Sequence, residues 1–514
     1  MSQEKSGSFW LPLFVIVIGA FAAILNNSSL NVAIPRFMTI FGVDASKIQW
    51  VLTAYMLTSG VVIPITGYLG DRFGTKRVFV ISLSIFTLGS VLCALSWSAN
   101  SMIFFRIIQG IGGGAIMPTS MAIVYRIVPR EKIGIALGVW GMSAVMAPAI
   151  GPTLGGYIVD NFEWYFLFVI NIPVGLLGIF LSAWLLKEGP VKPGLVMDKW
   201  GFITSTIGFF ALLLALSEGP REGWTSYYVV ILFIISFYSL LLFVLIELFT
   251  SEPMIDLRLL KNPTFSMSTI ITGLITIGLF GGVFLIPLFT QNLMGMTPYQ
   301  TGLMLMPAAL VTGIMMPISG FLFDRIGAKP LGLVGIIITA VTTWELHTLA
   351  AQTSKEYIIR LMVIRAVGMG LAMMPITTAG MNVVPKHLVG RASALNNVFR
   401  QVFASFGIAV LTAVLQNRQV FHFSHLADSV STASPVTQIG LQNLQESITA
   451  YTGQPANIAS QQAISFIYGA VQKQALVLAM DDTFLVAAIF VFVAIPLIFF
   501  LQKPSVVADK KTGN

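Results

Sequence analysis

GYLGDRFGTK (residues 67–76) returns, in the same direction along the chain, as GFLFDRIGAK (320–329), so the two stretches share the pattern G-x-L-x-D-R-x-G-x-K. Each copy is followed by a second echo, RIIQGIGGG from Arg106 and RAVGMG from Arg365. Matched motifs in matched order mark two related halves. Around them run apolar segments of the length that crosses a bilayer as helix, about 20 residues. Hydrophobic windows place these spans at roughly 10–33, 48–69, 78–97, 101–124, 134–158, 164–186, 200–217, 227–248, 265–289, 300–323, 330–350, 357–380, 391–415 and 483–502. The first motif then lies between spans 2 and 3 and the second between spans 10 and 11, a shift of eight spans rather than six. Two six-helix bundles with a two-helix insert account for that shift. The divisions are 1–190, 191–260 and 261–514, the last with a polar, Gln/Ser/Ala-rich loop over 416–482 that is expected to hold short helices. Spans 7 and 8 should pack outside both bundles, with Thr204, Ser205 and Thr206 bonding back to their own helix carbonyls.

Composition agrees with an all-α polytopic membrane protein. Of 514 residues, 56% are hydrophobic and only 10% charged, with a mean hydropathy of +0.86. Soluble chains carry about 25% charged residues, which this chain lacks to coat a globule of its size. A net charge of +8 would suggest nucleic acid in a soluble protein; here topology explains it, and no nucleic-acid partner is expected. Placing the N-terminus and the even-numbered loops on one side collects most of the Lys and Arg there, including Arg72, Lys76, Arg77, Arg126, Arg130, Lys132, Arg325 and Lys329. Basic loops stay in the cytoplasm. Both termini are therefore expected inside and loop 416–482 outside. Lys5 before the first apolar run has no small-residue cleavage site behind it, so that run reads as a retained helix. Cys93, the sole cysteine, lies in an apolar run and reads as a small packed residue.

Among the motifs, Gly67, Gly70 and Gly74 allow a sharp turn between helices, and Asp71 can accept from helix N-termini or arginines. Arg106 lies about one turn into span 4, where a charge needs a partner, a wet cavity or the membrane interface. Gln109 is one turn on, on the same face. The glycines of 110–114 and 151–156 suit close helix packing, and Pro148 and Pro152 predict kinks in span 5. Glu345 is the one carboxylate well inside a predicted span, and it reads first as interfacial. His347, two residues away, points to another face. No metal, nucleophile or nucleotide-binding pattern appears, which argues against an enzyme, a cofactor or an ATP-driven pump.

Taken together, the two loop motifs, RIIQGIGGGAIMP (106–118), APAIGPTLGG (147–156), WYFLFVINIPVG (164–175) and QTGLMLMPAAL (300–310) resemble the major facilitator superfamily, in its fourteen-helix drug:proton antiporter branch. The resemblance spans nearly the whole chain. It implies a multi-pass cell-membrane transporter, acting as a monomer, that exports lipophilic or cationic small molecules in exchange for protons and so confers drug resistance. It also implies a central cavity, with helices 1, 4 and 5 facing helices 9, 12 and 13. Its candidate lining is Asn26, Asn27, Tyr55, Arg106, Gln109, Gln291, Asn397 and Arg400. Gating falls to Gly67, Asp71, Arg72 and Gly74, to Pro148, Gly151 and Pro152, and to Gly320, Asp324 and Arg325. The loop motif would form a cytoplasmic latch that holds the outward-open state.

The first span departs from the family pattern. ILNNSSLNVAIP (24–35) resembles L-D-x-T-x-x-N-V-A-x-P, but Asn26 stands where the family has Asp. An amide does not titrate. The coupling proton then rides elsewhere, on Glu345 or Asp71; or the chain is a facilitator or lipid flippase; or Asn26 replaces an Asp and mimics its protonated form. Asn26 and Asn27 diverge by about 100° on a helix, so they are not expected to share one contact.

Overall fold

The computed structural model describes residues 9–350, 352–430 and 434–501. Lys5 and both termini, whose side of the membrane the basic loops were used to assign, lie outside them.

Helices α1 to α13 correspond to spans 1 to 13: α1 (Trp10–Phe41), α2 (Ala45–Phe73), α3 (Thr75–Ala94), α4 (Ala99–Ile127), α5 (Ile133–Asn161), α6 (Phe166–Leu185), α7 (Lys199–Glu222), α8 (Tyr227–Phe249), α9 (Pro263–Asn292), α10 (Pro298–Ile326), α11 (Ala328–Thr348), α12 (Lys355–Asn382) and α13 (Val389–Ser429). α14 (Pro435–Thr452) follows, and α15 (Ala456–Phe500) supplies the last span. Thirteen helices are long and apolar enough to cross a membrane, and α5 makes fourteen when its two arms count as one span. Among the described residues the fold is helical throughout. It is a multi-pass membrane protein.

Proline explains most breaks in these helices. It cannot donate to the carbonyl four residues back, and its ring crowds that carbonyl. α1 tightens into a 3-10 turn at Asn31–Ala33 just before Pro35, α2 does the same at Ile63–Ile65 around Pro64, and α5 bends by 44° after Pro148. Side-chain caps set several starts. Ser98 exchanges bonds with Ser101 in a capping box, Thr297 does so with Gln300, and Asp198, Ser226 and Asn262 each accept from the first turn.

Two expectations need correction. The 416–482 region does hold one short helix, α14, but it is not mainly loop: α13 runs unbroken to Ser429 and α15 begins at Ala456, so the last two spans continue past their apolar stretches as long helices. Polar composition ends a membrane span, but it does not end a helix. Arg418 and His422 of α13 meet Asp482 of α15 at 2.5 and 2.7 Å and tie the two helices together. The insert also behaves unevenly. α8 is peripheral, with Phe237 and Tyr238 about two-thirds exposed. α7 instead stands against both α2 and α13. Leu213 of α7 fills the notch left by Gly60 of α2. Thr204 and Ser205 do bond back to Trp200 and Phe202 carbonyls, whereas the buried Thr206 hydroxyl has no partner.

Contacts between the halves run through α5 with α10 and α12, and through α2 and α4 with α13. α1 packs on α4, α5 and α6 of its own half. The α10 contact was absent from the expected facing set. It follows from small residues on both sides, because Cβ atoms at Gly138 or Gly302 would strike Pro317 Cα or Thr153 Cα at 2.7 Å.

Candidate transport site

Arg106 is fully buried, and the site is built around it. The glycines that follow it draw α4 onto its neighbours. A Cβ on Gly114 would stand 2.7 Å from Ser59 Cα of α2, and a Cβ on Gly89 of α3 would stand 2.6 Å from Gln109 Cα. The long Arg106 side chain is enclosed among these helices and is satisfied in place. Its Nε donates to the Val51 carbonyl at 2.9 Å. Nη1 donates to Asn26 Oδ1 at 2.8 Å and to Gln109 Oε1 at 2.6 Å, and Nη2 donates to Asn27 Oδ1 at 2.9 Å. The guanidinium lies 4.1 Å from the centre of the Tyr55 ring, whose hydroxyl donates to the Ala23 carbonyl. Gln109 passes its amide hydrogen to Ser90 at 2.7 Å, and Ser90 donates to the Phe86 carbonyl.

Five of the eight expected cavity residues are therefore brought together, but as a closed knot and not as a cavity wall. Snorkelling is excluded by the burial of Arg106. The expectation that Asn26 and Asn27 could not share a contact also fails, because the planar fork of arginine spans their divergence with two different nitrogens. Among the described residues no carboxylate faces this cation; amide oxygens, one carbonyl and a ring face hold it. Asn26 Nδ2 is buried with no acceptor. The pocket at 26 thus accepts an oxygen facing Arg106 and leaves the second atom of the amide unsatisfied.

The other three lie apart from the knot. Asn397 and Arg400 sit together on α13: Arg400 donates to Asn397 Oδ1 and Asn397 donates to the Ser393 carbonyl, both at 2.9 Å. Gln291 is half-buried in the last turn of α9. Glu345 ends the regular part of α11, half-buried, and accepts from the Tyr357 hydroxyl at 3.1 Å. His347 turns instead to the Trp344 carbonyl.

Both loop motifs sit where the halves touch. Gly74 and Gly327 close their helices with φ of 96° and 82°, a backbone region open to glycine and strained for other residues, which is the local reason for the motif glycine. Asp71 pairs with Arg391 of α13 at 3.1 Å, both nearly buried, and Gly67 lies under the same arginine. Arg72 packs over Phe73 and donates to the Tyr68 hydroxyl. In the second copy, Asp324 accepts from the backbone of Gly134 and Ile135 at the start of α5, Gly320 touches Gly134, and Arg325 stacks on Phe321. One motif is held by an ion pair and the other by a helix N-terminus. In α5, Gly151 faces Ser28, whose hydroxyl donates to the Ala147 carbonyl between the arms that Pro148 and Pro152 bend.

Sequence reasoning left out Arg365, although the repeat puts it in the place of Arg106. It is 2% exposed, donates Nε to Thr343 Oγ1 at 3.1 Å and Nη2 to the Gly278 carbonyl, and borders a small cavity with Pro148 and Pro152. Arg391 was also left out; its signal is the first loop motif, which needs a cation opposite Asp71. A larger cavity, about 650 Å³, lies in neither place. Leu212 and Leu216 of α7, Trp224, Phe233 of α8, and Val402 and Phe406 of α13 are among its walls.

Comparison with known proteins follows from this geometry. The profile of the Major Facilitator Superfamily matches residues 16–408. The chain is 38% identical to an MFS-type transporter of Bacillus subtilis (strain 168), YhcA, over 97% of this chain and 94% of that one. It is 31% identical to the multidrug export protein EmrB of Haemophilus influenzae, over 91% and 92% of the two chains. In fold it resembles the proton:xylose symporter XylE, with a TM-score of 0.59 at 12% identity over 95% and 96% of the chains.

Proposed function

This chain belongs to the major facilitator superfamily, and on that premise we propose that it exports lipophilic and amphipathic compounds, cations among them, in exchange for protons. The kinship to multidrug export proteins supports the choice of cargo. The observation that carries the mechanism is the pair of latches, which hold the halves together at the end bearing Asp71 and Asp324. With the basic loops assigned to the cytoplasm, that end is the inner one, and the protein rests closed to the inside of the cell membrane. Alternating access then requires the Asp71–Arg391 latch to break while α5 and α10, with the Asp324 contact at their inner end, stay together and act as the axis.

In this reading Arg106 holds α1, α2 and α4 as one body, and Asn26 occupies the seat of a carboxylic acid in its protonated geometry. Asn26 favours a second reading, a facilitator without proton coupling, because it cannot release a proton. Flux of a lipophilic cation from proteoliposomes, with and without an imposed pH gradient, separates the two. Gradient-driven accumulation supports exchange; equal flux in both conditions establishes the facilitator. Asn26→Asp supplies an acceptor on both atoms beside Arg106, should be tolerated, and should steepen the dependence of flux on pH. An unchanged pH profile would remove position 26 from the proton path.

A further inference from the structure

The inserted hairpin carries two carboxylates that export, as read above, leaves without a task. Asp198 caps α7: its Oδ1 accepts from the Gly201 N–H at 2.8 Å, while its Oδ2 is buried with no partner. Glu247 lies in the last turns of α8 and is fully buried. Its Oε1 accepts from the Ile255 N–H at 3.4 Å, in the connection to α9, and its Oε2 also has no partner. Both acids converge on Gly201. A Cβ there would fall 3.2 Å from Glu247 Oε1 and closer still to Asp198 Oδ2.

A fully buried Glu247 and a half-buried Asp198 whose Oδ2 is enclosed, both within reach of Gly201, are poorly placed to ionise together, since their repulsion is little screened. One proton between them removes the repulsion and gives an orphan oxygen a donor. The surrounding charges do not supply an alternative. Arg391 of α13 is within electrostatic reach of Glu247, but its Nε is committed to Asp71. Behind Asp71 stand Lys192 and His387. Arg258, in the connection after α8, turns to the Leu248 and Thr250 carbonyls, and Lys199 next to Asp198 is exposed. From α7 the facing group is Asp198 itself.

We infer that Glu247, held beside Asp198 at Gly201, carries one exchangeable proton, and that its release leaves a negative charge that competes with Asp71 for Arg391 and loosens the latch between α2 and α13. The insert that enlarges the two six-helix halves would then be the part that senses protons. Its coupling role rests on the proton-exchange reading; proton binding itself needs no exported compound.

The test uses the full chain in lipid nanodiscs, with no exported compound present. Infrared difference spectra against pH should show a protonated-carboxyl C=O stretch that disappears as pH rises, is missing from Glu247→Gln and has a shifted midpoint in Asp198→Asn. Gly201→Ala keeps both acids but crowds Asp198 Oδ2, and should move the midpoint of that titration. A titrating band that is identical in all three variants overturns the pair. Spin labels on the basic ends of α2 and α13, in a Cys93→Ser background, should move apart as pH passes the midpoint and stay together in Glu247→Gln. The same widening in Glu247→Gln would overturn the link to the latch. An intact infrared titration in a protein with no drug flux would sink export and leave the proton pair; gradient-driven flux with no titrating pair would do the reverse.

Discussion

The two seams between the halves should be alike, since the repeat relates α2 and α13 to α10 and α5, yet they are built differently. α5 and α10 touch along their whole length, from Gly134 against Gly320 at one end to Gly156 against Tyr299 at the other, backbone close to backbone. α2 and α13 meet mainly toward the basic end, through the Ile63–Ile65 turn, Gly67, Asp71 and Arg391, and Leu213 of α7 packs against α2 at Gly60 beyond that point. The first seam is held by glycine contacts that cannot lengthen without loss of packing. The second is held by an ion pair and a wedge of leucine side chains, both of which can move. A rocking machine needs one edge that persists and one that gives, and the difference assigns those roles.

The largest expected effect comes from breaking the glycine seam. Gly138→Leu drives a side chain into Met316 and Pro317 and should cost about 3 kcal/mol, seen as loss of monodisperse protein in fluorescence-detected size-exclusion chromatography. A well-folded variant would show that this edge is more open than its contacts indicate. Next is Arg106→Ala, which leaves the oxygens of Asn26, Asn27 and Gln109 without their common donor, each costing about 1–3 kcal/mol if water cannot enter. Protein should still reach the membrane, with flux near background, and Arg106→Lys should rescue poorly because a point charge cannot reproduce the fork. Retained flux in the alanine variant would reduce the knot to packing.

A smaller effect is expected from Arg391→Ala. It deprives Asp71 of its ion pair and should weaken the wedged seam by about 2 kcal/mol, raising labelling of cysteines introduced on the inner faces of α2 and α13. Unchanged labelling would move the latch from this pair to the surrounding glycine contacts. Smallest of all is Gly60→Ala, where the added methyl meets only the far end of Leu213, a side chain free to turn. About 1 kcal/mol or less is expected in thermal denaturation, against the far larger loss at Gly138, and equal losses would erase the distinction between the seams.

Much of this was legible in the sequence because polarity is informative against an apolar background. Asp71 and Asp324 marked the repeat, the repeat counted the helices, and Arg106 required partners that ILNNSS was able to offer. The position of α7 was not legible. In lipid a helix is apolar on every side, so hydrophobicity does not tell the face of α7 that meets Leu57 of α2 from the face that meets acyl chains. The proximity of Asp198 to Glu247 was not legible for a related reason. Each lies near the end of its span, and only the fold of the hairpin brings both to Gly201. The region after Gln416 misled because loss of hydrophobicity marks the edge of a bilayer, while helix continues wherever its caps and contacts allow.

That continuation gives α13 a mechanical property. At 1.5 Å per residue, its 41 residues make a rod of about 60 Å, twice the thickness of the hydrocarbon layer. Arg391 sits at the first turn of this rod, and its other end is braced to α15 through Asp482 and projects beyond the membrane. A pivot of about 10° at the latch would swing the distal tip by about 10 Å. The molecule therefore carries its own pointer: an antibody fragment or fluorophore fixed near His425 would report, from outside the bilayer, the state of a contact buried at the opposite face.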